Sequence, residues 1–274
     1  MRIQHNISAL NTHRNLTFNN TQTSKALEKL SSGYKINRAG DDAAGLSISE
    51  KMRGQIKGLD MATKNAQDGI SLIQTTEGAL NEVHSILQRM RELAVQAAND
   101  TNVTEDREAI SAELEQLNEE LGRIKDTTEF NTKKLLDSSA GEINFQVGAN
   151  ANQKMTFDFA QAGIDLSDVV DNTAGLDVST HDAAELVITA IDTELNSVSS
   201  GRSLLGAAQN RLEHTIQNLG AASENLTASE SRIRDTDMAA SMMDFTKNNI
   251  LMQAAQSMLA QANQQPQGVL QLLQ

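Results

Sequence analysis

Ile48-Ser49-Glu50-Lys51-Met52-Arg53-Gly54-Gln55-Ile56-Lys57-Gly58-Leu59 opens a stretch of apolar or small positions that continues at Thr63, Ala66, Ile70 and Ile73, then Leu80, Val83, Leu87, Met90, Ala94 and Ala97. Steps of three and four give a 3.5-residue period, the mark of a helix lying in a supercoiled bundle, interrupted mainly at Glu77-Gly78. Residues 48–97 therefore read as one long helix. Asn99-Asp100-Thr101-Asn102 supplies turn chemistry and a cap, after which Ile110, Leu114, Leu117, Leu121 and Ile124 resume the spacing and predict a helical hairpin. Beyond the middle of the chain the same period returns at Ile191, Leu195, Val198, Leu205, Ala208, Leu212, Ile216, Leu219, Ala222, Leu226 and Ile233. Arg202 breaks that seam and is expected at a bundle end or a subunit contact.

Between the helical arms the period changes to two. Ile143, Phe145 and Val147 alternate with polar neighbours, as do Met155, Phe157 and Phe159, and Gly148-Ala149-Asn150-Ala151-Asn152-Gln153 separates them. This predicts a small β-hairpin. Residues 160–182, rich in Asp, Gly, Ser and Thr, read as surface connection.

Composition limits the remaining choices. The 274 residues include one Pro, no Cys, no Trp and 3% aromatics, so a large ring-filled core is not expected and a thin helical one is. Zero Cys rules out disulfides and thiolate chemistry. The net charge of −13 opposes nucleic-acid binding, which depends on Lys and Arg neutralising phosphate. No window holds the roughly 18 apolar residues of a membrane span, so no membrane insertion is expected. Met1-Arg2-Ile3-Gln4-His5-Asn6 lacks a signal-peptide core, so no cleaved leader is expected either. Charge is unevenly placed: residues 1–57 carry nine basic and four acidic groups, net +5, leaving −18 for the rest, and residues 248–274 carry none.

The ends form apolar stripes. Ile3, Ile7 and Leu10 make one, and Met238, Met242, Phe245, Met252, Leu259 and Ala262 make a longer one, widened by Ile250, Leu251 and Met258. Their polar faces are Asn, Gln, Ser and Thr. Neutral side chains can be buried with hydrogen bonds, whereas an unpaired buried charge costs several kcal/mol. An uncharged 27-residue tail therefore points to a helix whose faces all meet protein, against the plainer reading of a solvated Gln-rich tail. The Met-rich stripe suits either an adaptable partner surface or ordinary packing.

Catalytic and metal constellations are thin. His5, His13, His84, His181 and His214 are scattered, without a His-Glu-x-x-His pair. Asp41-Asp42 reads as the start of a helix near Ala43, where negative charge complements the dipole, and not as a carboxylate pair. Asp171–Asp177 misses calcium-loop spacing. No enzyme activity and no cofactor are expected. Arg89 and Arg91 beside Leu87, Met90 and Leu93 read either as a recognition patch or as a solvated surface.

Several stretches resemble bacterial flagellin: Leu30-Ser31-Ser32-Gly33-Tyr34-Lys35-Ile36-Asn37, Asp41-Asp42-Ala43-Ala44-Gly45-Leu46, Asn65-Ala66-Gln67-Asp68-Gly69-Ile70-Ser71, Gln74-Thr75-Thr76-Glu77-Gly78-Ala79-Leu80 and Arg91-Glu92-Leu93-Ala94-Val95-Gln96. Ser231-Arg232-Ile233-Arg234-Asp235-Thr236-Asp237, Leu259-Ala260-Gln261-Ala262-Asn263-Gln264 and Val269-Leu270-Gln271-Leu272-Leu273 extend the likeness to the other end. The resemblance implies a mainly α fold: a long antiparallel helical bundle or coiled coil with a small β-hairpin insertion, and terminal helices that pair in the assembled filament. It is similar to a minimal flagellin with a short variable region. The boundaries it implies are 1–42 for the N-terminal filament-core helix and spoke, 43–137 and 183–234 for a helical rod domain, 138–182 for the variable region and 235–274 for the C-terminal core helix.

The same resemblance implies a structural subunit that self-assembles head-to-tail into the extracellular flagellar filament for motility. It implies unfolded export by the flagellar type III system, an export chaperone, and contacts with filament cap and hook–filament junction proteins. Expected subunit contacts are Ile3, Ile7, Leu10, Phe245, Leu251, Met258 and Leu259. Host Toll-like receptor 5 is implied as a ligand-binding partner through Arg89, Leu93 and Glu113, which match the family's motif. A hook–filament junction protein of similar termini and a soluble coiled-coil signalling module are the alternatives. Gln274 stands where many relatives have Arg.

Overall fold

The computed structural model describes residues 6–161 and 163–272, with side chains described through Gln265. Among the described residues the order is α1 (Ile7–Ser32), α2 (Ala43–Ala97), α3 (Thr104–Thr127), β1 (Glu129–Phe130), β2 (Lys133–Lys134), β3 (Glu142–Gln146), β4 (Lys154–Asp158), α4 (Ser167–Thr173), α5 (His181–Arg234) and α6 (Met238–Leu272). Two compact units contain them: 55–223, and 1–54 with 224–274.

In unit 55–223 the 3.5-residue period becomes a core. Ile73, Leu80, Val83, Leu87, Met90 and Ala94 of α2, Ile110, Leu114 and Leu121 of α3, and Val187, Ile191, Val198, Leu205 and Leu212 of α5 are buried together. α2 continues through Glu77-Gly78 as one 55-residue helix, about 80 Å long at 1.5 Å per residue. Leu72 and Ile73, and again Leu93 and Ala94, are buried as adjacent pairs, so α2 covers more than a single seam. α3 starts where the Asp106 carboxylate accepts from the Val103 N–H at 3.3 Å, half of a capping box.

The predicted hairpin is present. β3 and β4 pair antiparallel with Phe145 opposite Met155 and Ile143 opposite Phe157. It docks on α2, where the Asn65 amide donates to the Gln146 carbonyl at 3.1 Å. A Cβ on Gly69 would stand 3.0 Å from the Phe145 ring, so glycine lets the ring close on the helix. A second antiparallel pair, β1 with β2, escaped sequence reading because each strand has two residues. Its turn places Asn131 and Thr132 at φ 50° and 68°, the primed-turn pattern.

Two expectations need correction. Residues 160–182 are not merely surface connection: Ile164, Leu166, Val169 and Val178 are fully buried and α4 forms among them. Thr173 of α4 donates its hydroxyl to the Asn118 side chain at 2.7 Å, and the Asn172 amide donates to buried Glu194 at 2.9 Å. Arg202 lies at mid-length of α5, 4.0 Å from Glu77 of α2, and not at a bundle end. Its side chain is 31% exposed, so the helix carries a charge at mid-length without breaking.

In the other unit, α1 and α6 pack against each other. Gly33 ends α1 in the left-handed conformation, φ 76°, and returns its N–H to the Lys29 carbonyl. The chain then crosses the end of α5: the Lys35 N–H donates to the Arg234 carbonyl at 2.7 Å and the Thr236 N–H to that of Gly33 at 3.0 Å. The Arg234 guanidinium lies 4.8 Å over the Tyr34 ring and 2.7 Å from the Glu50 carboxylate. Asp42 caps α2 by accepting from the Gly45 N–H at 2.9 Å, as its position beside Ala43 predicted. Asp41 accepts from the backbone N–H groups of Arg38 and Asn37, and these bonds hold its carboxyl below the usual range.

Candidate functional site

The paired terminal helices present an unusual surface. α1 contains no fully buried residue, although it runs for 26 residues against α6. Asn6 caps α1, accepting from the Ala9 N–H at 3.1 Å, and its amide donates to the Ala262 carbonyl at 2.7 Å, which ties the start of one helix to the later part of the other. Asp237 caps α6 by accepting from the N–H groups of Ala239 and Ala240.

The expected contact residues divide into two sets. Phe245 and Leu259 are half-buried, while Ile7, Leu10, Leu251 and Met258 are exposed, Leu10 at 74%. Ile3 lies outside the described residues. Phe18 and Leu27 of α1 are exposed at 61% and 55% and were missed in the sequence. Phe18 follows Ile7 by 11 residues, close to three helical turns of 3.6, and that spacing was the available signal for it, whereas Leu27 lies about 100° round the helix from Leu10.

Six hydroxyls of this surface are already satisfied. Thr12 donates to the Ser8 carbonyl, Thr17 to His13, Thr21 to Thr17, Thr23 to Asn19, Thr246 to Met242 and Ser257 to Gln253, all within one turn of their own helix. Covering these faces would strand none of those six hydroxyl donors, while the Asn and Gln amides beside them would take their partners from the covering protein. Exposed apolar side chains beside hydroxyls bonded within their own helix lower the cost of burying this surface.

A second group of residues lies on unit 55–223. Arg89 Nε and Nη2 reach Glu113 Oε1 at 3.0 and 2.8 Å, and Nη1 reaches Glu92 at 3.2 Å. Arg91 meets Asp192 at 2.6 Å. Leu93 does not share that surface. It is 2% exposed, within the core, so it supports the helix beneath Arg89.

At one end of the same unit His181 Nδ1 lies 2.6 Å from the Ala98 carbonyl, beyond the last turn of α2, and Nε2 lies 3.5 Å from Glu185. The hydrogen bond to Ala98 raises the imidazole pKa above its ordinary 6.5, helped by Glu185, Asp100 and Asp182. A pKa raised on folding contributes stability that is complete below the unfolded value and lost as pH rises through the folded one. Thermal unfolding of the native chain and of His181→Gln should therefore differ most on the acidic side of that transition and converge above it. An unchanged gap across the titration would refute the bond from His181 to the Ala98 carbonyl as the source of that stability.

Among the described residues, no group of three His, Asp or Glu side chains is arranged to hold a metal ion, and no helix is long and apolar enough to cross a membrane.

Residues 3–140 match the family model described as the bacterial flagellin N-terminal helical region, and residues 188–273 match that of the C-terminal helical region. The flagellin of Halalkalibacterium halodurans is 63% identical over 273 residues, covering the whole of both chains. That of Bacillus subtilis is 54% identical over 304 aligned positions, again with both chains fully covered. The crystal structure of Bacillus cereus flagellin superposes with a TM-score of 0.51 and 33% identity over 57% of this chain and 88% of that one.

Proposed function

The chain belongs to the bacterial flagellin family and is a subunit of the flagellar filament, and from that premise we propose that the outward faces of α1 and α6 form the polymer contact. The filament is extracellular and the family is structural. The observation that carries the reading is the combination on α1 and α6 of exposed Ile7, Leu10, Leu251 and Met258 with hydroxyls that need no further partner. Burying each large apolar side chain stabilises by about 1.5–3 kcal/mol, and a single copy leaves that gain unused. A head-to-tail contact that does not close on itself propagates as a helical polymer. Ile3 belongs to the same stripe by spacing.

In this reading segments 1–42 and 235–274 make the filament core, 43–137 and 183–234 the rod, and 138–182 a short variable region. Export proceeds through the flagellar type III system as an unfolded chain. A chaperone covers the uncharged helix before export, and cap and hook–filament junction proteins meet the polymer ends. Sedimentation tests the contact: the whole chain pellets as polymer, and a chain ending at Lys247 stays in the supernatant.

Toll-like receptor 5 recognition uses Arg89 and Glu113 as an exposed charged pair, with Leu93 as their support. Arg89→Ala should weaken binding of a soluble receptor fragment to the monomer by roughly tenfold or more, as expected of a central Arg. Its circular dichroism should be unchanged. Equal binding by the variant, or none by the native monomer, would reject the assignment.

A further inference from the structure

Sulfur is concentrated where the polymer contact is read. The chain has no Cys and no Trp, and five of its ten Met residues, at 238, 242, 243, 252 and 258, lie on α6. Met238, Met242, Met243 and Met258 are exposed at 50, 51, 69 and 59%, whereas Met90 and Met155 in the other unit are 0 and 6% exposed. Met238 and Met242 are one turn apart on one flank of α6. Met243 and Ile250, and likewise Leu251 and Met258, are two turns apart on neighbouring faces. The sulfurs are thus interleaved with the aliphatic side chains offered for contact.

We propose that Met238, Met242, Met243 and Met258 are a peroxide-reactive modification site, and that their oxidation in the monomer arrests filament growth. The proposal rests on the assembly reading of α6. In the reaction a thioether lone pair attacks one oxygen of hydrogen peroxide. The S–O bond forms as the O–O bond breaks, and the other oxygen leaves as water with both protons. Methionine is oxidised to the sulfoxide and the peroxide is reduced. Access governs the rate, so the four exposed sulfurs react before the buried ones. The product replaces a soft apolar group by a strong dipole, and burying that dipole without a donor opposes the contact. Polymerised subunits cover the same sulfurs and so resist the oxidant.

The test treats full-length monomer and preformed filaments with hydrogen peroxide, then maps added oxygen by peptide mass and measures elongation from untreated seeds. In monomer the four α6 sulfurs should gain oxygen about tenfold faster than Met90 and Met155, and in filaments that advantage should be lost. Treated monomer should elongate at least roughly tenfold more slowly. The quadruple variant Met238→Leu, Met242→Leu, Met243→Leu, Met258→Leu, close in volume, removes the reactive sulfurs, and whatever its untreated elongation rate, the ratio of its treated to its untreated rate should stay near one. Met61, 54% exposed in the other unit, is the control, since Met61→Leu should give no protection.

Native monomer that elongates normally with all four sulfurs oxidised would overturn the proposal, as would equal slowing of the quadruple variant. Should that variant fail to polymerise untreated, the native sulfurs decide, and equal reactivity in monomer and filament overturns the site. Failure of untreated native chain to polymerise would instead reject the assembly reading.

Discussion

A chain ending at Lys247 should remain unpolymerised at every concentration at which the whole chain forms filaments. The truncation removes Ile250, Leu251 and Met258, exposed at 61, 43 and 59%, together with the Ala262 carbonyl that receives the Asn6 amide. Three large apolar side chains at about 1.5–3 kcal/mol each amount to roughly 5 kcal/mol or more, which is about a thousandfold or more in an association constant. α1 suffers as well. It has no fully buried residue even when paired, and helices in proteins draw most of their stability from packing of one face, which the truncation removes from α1. Far-UV circular dichroism should therefore fall by more than the removed residues account for. Unit 55–223 keeps its own core and should unfold at the native temperature. Filaments of ordinary length from the truncated chain would refute the contact.

Gly201→Ala should destabilise unit 55–223 by about 3 kcal/mol and lower its unfolding temperature by about 10 °C. A Cβ on Gly201 would press on the Gly163 carbonyl, 2.6 Å from its carbon and 3.1 Å from Ile164 Cγ1. The first obstacle is backbone and cannot turn aside. Gly163 cannot retreat, because it stands at φ 86° and its own missing Cβ would lie 2.5 Å from the Ser197 carbonyl carbon. Two glycines thus let the connection before α4 lie directly on α5, which is how Ile164 and Leu166 become buried. Gly206→Ala, five residues further along the same helix where a Cβ meets nothing, should instead be neutral or stabilise by about 0.5–1 kcal/mol. Equal melting of the two variants would reject the close approach as the cause.

The helices were legible because each repeats one spacing over many turns. α2 and α5 emerge almost whole from positions such as Leu80, Val83, Leu87 and Met90, and β3 and β4 from strict alternation around Phe145 and Phe157. Asp42 announced the start of α2 by its chemistry. β1, β2 and α4 are too short for any period to accumulate, and their stability comes from what they touch: Thr173 on Asn118, and Val169 in the core. The polar composition of 160–182 concealed apolar residues spaced at irregular intervals, because a loop held by two glycines obeys no helical or strand repeat.

The candidate site was legible in chemistry and incomplete in geometry. The neutral, Met-rich tail and its stripe stand in the residues themselves. That Phe245 and Leu259 turn toward the α1–α6 pair while Leu251 and Met258 remain outside does not, and neither does the burial of Leu93 beside exposed Arg89. The amino-acid order by itself determined the long helices, the β3–β4 hairpin, the Asp42 cap and the absence of charge at the end of α6, since each depends on neighbours within a few residues. Only the tertiary structure decided which apolar side chains are covered and which stay exposed, because burial is a property of two surfaces and each helix carries the pattern of only one.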